Sequence, residues 1–118
     1  MSQTVRFQET LRRLTMIDEG FIEGQAQLGL DLAGAPGLDA RTGALLRLAA
    51  AVALGSPRVC LEWSADRALA AGATEDEIAD ALVAIAPVAG LSRIVAAAPK
   101  VAIALGYDVA AALEDPDL

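Results

Sequence analysis

Apolar positions Val5, Phe7, Leu11, Leu14 and Ile17, continued by Phe21, Ile22 and Leu28, recur at helical spacing and predict a first segment over residues 4 to 33. Gly20, Gly24 and Gly29 weaken that segment. The stretch "AGAPGLDA" reads as a loop, after which Asp39 caps a second helix, "ARTGALLRLAAAVALG", apolar on most of its circumference. Ser56 and Pro57 read as the N-cap and first position of a third helix that stops at Gly72. Thr74 and Glu77 form a T-x-x-E capping box that opens a fourth helix, running to about Ala89. The fifth segment, "LSRIVAAAPKVAIALG", carries Pro99 in its interior, where a kink is expected, and Asp108 starts a short last helix over "VAAALED". No strand-like alternation competes, and the alanine-rich stretches are spaced too irregularly for a repeat. The pattern specifies an all-α protein of about six helices.

Composition sharpens this picture. The 118 residues fit one domain, 1–118. The chain is 55% hydrophobic but only 3% aromatic, so its core has to be built from small side chains that let helices approach closely. The second, fourth and fifth helices carry more apolar surface than one small bundle needs to bury, which predicts a homo-oligomer.

Charge then removes whole classes of partner. A net charge of −7 would be repelled by nucleic acid and by anionic membrane, so neither is an expected partner. The longest uncharged run, Ala81 to Ser92, is too short to cross a bilayer, and "MSQTVRFQETLRR" lacks the apolar core of a signal peptide; a soluble, cytoplasmic protein is expected. The single cysteine, Cys60, excludes an intramolecular disulfide. With no histidine and no second thiol, the usual ligands of zinc, copper and non-haem iron are missing, and no metal or other cofactor is expected.

The middle of the chain carries a recognisable frame: Ala68, Leu69, Gly72, Ala73, Thr74, Glu77 and Ile78, then an apolar helix, then Ala89, Gly90 and Leu91. Over residues 38–105 this resembles the carboxymuconolactone decarboxylase family, which includes the alkylhydroperoxidase D-like proteins. The resemblance implies an alkylhydroperoxidase D-like helical bundle assembling as a trimer or hexamer. Redox members of that family carry C-x-x-C-x-x-x-H, in which a thiolate attacks peroxide, a second thiol resolves it and the histidine manages protons. Laid over this chain, the frame puts Pro57 at the first cysteine, Cys60 at the second and Ser64 at the histidine. The decarboxylase-type pattern, with glutamate at 60 and histidine at 64, fails at both places, and no acid stands between Leu45 and Leu48, where an assisting glutamate would fall.

Cys60 and Ser64 are therefore the positional remnants of a catalytic site, and Pro57, Arg58, Trp63 and Arg67 are the neighbouring candidates for ligand binding. A first-turn thiol near Arg58 and Arg67 has some thiolate character through the helix dipole, but a lone cysteine in an alanine-rich helix also reads as a small core hydrophobe. Ser64 lacks the neighbouring base a nucleophile needs, and its hydroxyl is expected to bond the Cys60 carbonyl. Trp63 reads as a packing residue or a pocket edge, and Glu62 and Asp66 as a solvated face. Three functions fit: a catalytically degenerate family member that binds a small apolar ligand or a carboxylate, or serves as an assembly or accessory protein; a single-cysteine peroxidase reset by an external thiol; or a decarboxylase-like enzyme of small organic acids, with Arg58, Arg67 or Arg93 holding the carboxylate.

Overall fold

The computed structural model describes residues 3–15 and 37–114. Within them the chain forms α1 (Gln3–Thr15), α2 (Ala40–Ala53), α3 (Arg58–Ala70), α4 (Glu75–Ala89), α5 (Leu91–Ala104) and α6 (Val109–Glu114), with no strand among the described residues. The remainder of the expected first segment, beyond Thr15, lies outside the described residues.

Helix starts follow the polar residues that the sequence supplies for them. Asp39 Oδ1 accepts from the Thr42 N–H at 2.7 Å, and Asp108 Oδ1 accepts from the Ala111 N–H at 3.1 Å. At α4 both halves of the capping box are made: Thr74 Oγ1 accepts from the Glu77 N–H at 3.0 Å, and Glu77 Oε1 accepts from the Thr74 N–H at 2.9 Å. The third helix departs from expectation. Pro57 is its N-cap, no side chain caps it, and the Ser56 N–H is instead taken by the Ala51 carbonyl. That bond belongs to the turn closing α2, and α3 begins one residue later than expected, which leaves Ser56 outside the N-cap position.

Both interior prolines, Pro87 in α4 and Pro99 in α5, are accommodated without ending their helices. Each lies on the solvent-facing side, where water can satisfy the carbonyl that proline leaves without a donor. A single residue, Gly90, separates α4 from α5, with φ 92° and ψ 145°, a conformation that L side chains rarely adopt. Gly55, between α2 and α3, has φ +69°, and the Arg93 guanidinium lies where its Cβ would stand.

α2, α3, α4 and α5 pack around one core. Of its eleven buried residues five are alanine, which lets the helices approach closely but leaves most of the burial energy to Leu48, Val52, Leu61 and Ile78. Each such side chain contributes roughly 1.5–3 kcal/mol when fully buried. On α3 the buried positions Leu61, Ala65 and Ala68 follow i, i+4, i+7 spacing, so the orientation of this helix is fixed by its core stripe. Arg41 Nη1 reaches Glu77 Oε2 at 3.0 Å and ties the start of α2 to that of α4.

Outside the core, the α4–α5 hairpin presents an apolar surface. Leu91, Val95, Pro99 and Ile103 make one i, i+4 ridge on α5, all exposed, and Val83 and Val88 are exposed on α4, the latter at 91%. No helix among the described residues is long and apolar enough to cross a membrane.

Candidate functional site

The core stripe of α3 sends its other residues to two different places. Pro57, Arg58 and Cys60, at the start of the helix, are exposed. One turn further on, Trp63, Ser64 and Arg67 form one wall of a cavity of about 200 Å³. α2 supplies the opposite wall with Ala40, Ala44 and Arg47, and Ala70 and Ala71 close the end.

The sequence-derived candidates are thus divided. Trp63, Ser64 and Arg67 are brought together; Pro57, Arg58 and Cys60 are not part of the cavity wall. Cys60 is not the core residue that its alanine-rich context suggests, because the core stripe runs through Leu61 beside it and leaves the thiol outward. Arg58 Nε donates to Glu62 Oε1 at 2.7 Å, and this partner raises the guanidinium above its ordinary pKa. Its charge is engaged along the helix surface. Ser64 makes no hydrogen bond to the Cys60 carbonyl; the residue lines the cavity, and its hydroxyl has no partner among the described residues.

Arg93 stands elsewhere again. With Lys100, Ser56 and Ser92 it lines a separate, more open cleft of about 170 Å³ between the end of α2 and α5. The three arginines proposed from sequence as carboxylate holders therefore face three different surroundings.

Arg47 is the residue that sequence reasoning missed. It lies between Leu45 and Leu48, where the family pattern would place an assisting glutamate, and a cation occupies that stretch instead. The available signal was its isolation: from Gly43 to Gly55 it is the one charged residue in an otherwise apolar run. Arg47 and Arg67 have no ion pair among the described residues. Arg67 Nε is buried and has no hydrogen-bond acceptor among the described residues.

Chemically, this wall offers two guanidiniums, one hydroxyl, one indole and methyl groups. These described side chains can bind and orient a ligand through hydrogen bonds and apolar contact. Among the described residues no group of three or more metal-ligating side chains is found.

No curated protein and no solved structure matches the sequence. The sequence model of the carboxymuconolactone decarboxylase family matches residues 21–102, which take in all of α2, α3 and α4 and most of α5. With more than half of the chain matched, and with an all-helical architecture built on that span, this chain belongs to the carboxymuconolactone decarboxylase family.

Proposed function

We propose that this family member has given up thiol-peroxide chemistry and uses the α2–α3 cavity to hold a small ligand, working as a homo-oligomer. One observation carries the reading: Ser64 lines the cavity at the position where redox relatives are expected to place histidine, while the chain's one thiol is not among the described lining residues. With no histidine in the chain, none of the described cavity residues takes a proton from a nucleophile or returns one to a leaving group. For the same reason a decarboxylase-like turnover of organic acids lacks its acid–base group among the described lining residues.

The oligomer is supported by the α4–α5 surface. In an acidic chain, copies repel wherever their acids meet, and the stretch from Ala81 to Ser92 is free of charge while carrying Val83, Val88 and Leu91 outward. Interface cores are depleted of charge in the same way. The occupant we assign to this face is a second copy of the chain.

Exposure of Cys60 favours a second reading, the single-cysteine peroxidase. In it the thiolate sulfur attacks the peroxide, the O–O bond breaks and the alkoxide leaves with a proton. The resulting sulfenic acid is reduced by two equivalents of external thiol, giving water and a disulfide of that thiol. One experiment decides between the readings. Hydroperoxide consumption with dithiothreitol as reductant is compared for the wild type and Cys60→Ala, and both are expected at background. Rapid turnover that disappears in Cys60→Ala sinks the ligand-binding reading.

A further inference from the structure

The fifth helix carries two charges, and both are positive. Arg93 and Lys100 stand seven residues apart on α5, two turns and roughly 10 Å along its axis, so both fall on one face. Between Asp80 and Asp108 the chain holds no acid, although acids outnumber bases 16 to 9 overall. Neither cation has an ion pair among the described residues. With Ser56 and Ser92 they line the cleft of about 170 Å³ where α5 meets the end of α2, and no carboxylate is among its lining residues. Neither hydroxyl has a hydrogen-bond partner among the described residues.

The backbone makes room for Arg93. It stands four residues before Ala97, 4% exposed, and eight before Val101, 2% exposed, so it takes the next position of the α5 core stripe, where an apolar residue would extend the packing. Its side chain instead crosses the α2–α3 turn at Gly55. The φ of +69° there favours glycine, and the guanidinium fills the space a Cβ would take. A cation seated on a glycine, beside a second cation and with no acid lining the cleft, is a self-repelling arrangement that an anion relieves. Ser92 and Arg93 also lie in the first turn of α5, which has no side-chain cap, so the helix dipole adds to the positive potential.

We propose that the cleft between α2 and α5 binds a phosphate group, free or as a monoester, with Arg93 and Lys100 matching its charge and the Ser56 and Ser92 hydroxyls donating to its remaining oxygens. This is a second site, independent of what the α2–α3 cavity holds. Its donors come from three places: the turn before α3, the first turn of α5 and the third turn of α5. That spread suits a tetrahedral anion whose acceptor oxygens point in several directions, whereas a carboxylate presents two oxygens in one plane, which the arginine fork alone engages. Arginine supplies the fork and lysine the point charge that phosphate sites use. At about 170 Å³ the cleft is below the ~300–1,000 Å³ of pockets for drug-sized ligands, so it takes the head group and leaves the body of a monoester in solvent. Ser92 and Arg93 stand roughly 100° to 200° round the helix from Leu91, which makes the cleft and the apolar ridge different faces of α5.

The full-length protein is titrated calorimetrically with inorganic phosphate and with phenyl phosphate at about pH 8, where a phosphate monoester, with its second pKa about 6, is a dianion. Saturable binding that weakens with added sodium chloride is expected, and benzoate is expected to displace phosphate at least about tenfold less well than phenyl phosphate does. Tighter binding of phenyl phosphate assigns the site to a monoester; binding no tighter than that of inorganic phosphate assigns it to the free anion. Arg93→Gln and Lys100→Gln are each expected to weaken phosphate on the order of tenfold, and Arg12→Gln, an equal loss of charge outside the cleft, to leave it unchanged. Ala96→Glu, at an exposed lining position between Ser92 and Lys100, keeps both cations and adds a competing carboxylate. It is expected to abolish binding, which keeps the test decisive where the arginine variant fails to fold. No saturable binding of either phosphate, displacement by benzoate as effective as by phenyl phosphate, or an affinity unchanged in all three cleft variants overturns the site. Absent binding together with a changed oligomer mass in Ala96→Glu, read by light scattering, overturns it in favour of acids from a second copy and leaves the α2–α3 reading untouched.

Discussion

The first turn of α3 and the two turns that follow it carry the same sequence frame and meet opposite fates. Pro57, Arg58 and Cys60 stand in solvent, with Arg58 bound to Glu62. Trp63, Ser64 and Arg67 close a cavity against α2. The cause is the Leu61–Ala65–Ala68 stripe, which fixes the rotation of the helix and leaves the first-turn residues outward. A position inherited from a redox pattern is therefore not the same as a position in a site.

The comparison can be broken hardest at Leu61, which is 2% exposed where the two halves join. Leu61→Ala is expected to cost about 2–5 kcal/mol, read from the midpoint of urea unfolding at unchanged slope. Because the same residue sets the helix rotation, the emission of Trp63 in the folded variant is expected to change with it. Unchanged stability and emission would show that the core stripe does not orient the cavity wall.

A smaller loss, about 1 kcal/mol, is expected for Thr74→Ala, which removes one half of the α4 capping box. This residue lies outside both halves of the comparison, so the Trp63 emission of the folded protein is expected to stay as it is. A shifted spectrum would mean that the wall depends on α4 more than its packing on α3 indicates.

Acid titration gives a finer probe of the scaffold. Glu77 is held below its ordinary 4.5 by the Thr74 N–H, with Arg41 adding to the effect, and Asp39 is held below its ordinary 3.8 by the Thr42 N–H. Carboxyls depressed in the fold stabilise it fully above their unfolded values and lose that contribution as the pH falls through the folded ones. Stability is therefore expected to decline from about pH 4.5 downward, and Glu77→Gln to flatten the decline, as followed by helical circular dichroism. A slope unchanged in Glu77→Gln would place the acid sensitivity elsewhere.

The smallest effect is expected at Cys60. Cys60→Ser changes an exposed side chain with no packing role in the core, so stability is expected within about 0.5 kcal/mol of wild type and the Trp63 emission of the folded protein is expected to be unchanged. A large change in either would join the first turn to the cavity and erase the distinction between them.

Much of the scaffold was legible along the chain because its signals are local. The Thr74–Glu77 box, the Asp39 cap and the Gly90 turn each depend on residues within a few positions of one another. Ser56 shows the limit of local signals: it stands one residue before the actual N-cap, Pro57, and the Ser-Pro pattern does not say at which of the two the helix opens. At the candidate site, Trp63, Ser64 and Arg67 could be found because they share a helix with the family frame. Arg47 could not be tied to them, since twenty residues separate it from Arg67 and only the packing of α2 on α3 brings both to one cavity.

What the amino-acid sequence determined by itself is the helical class, the family frame and the absence of imidazole, because each follows from residue identity and short-range spacing. Tertiary structure alone decided that the thiol faces outward and that two distant arginines share an unpaired, partly dry surrounding. Burial and charge pairing are properties of what lies opposite a side chain, and in a bundle the opposite wall comes from another helix.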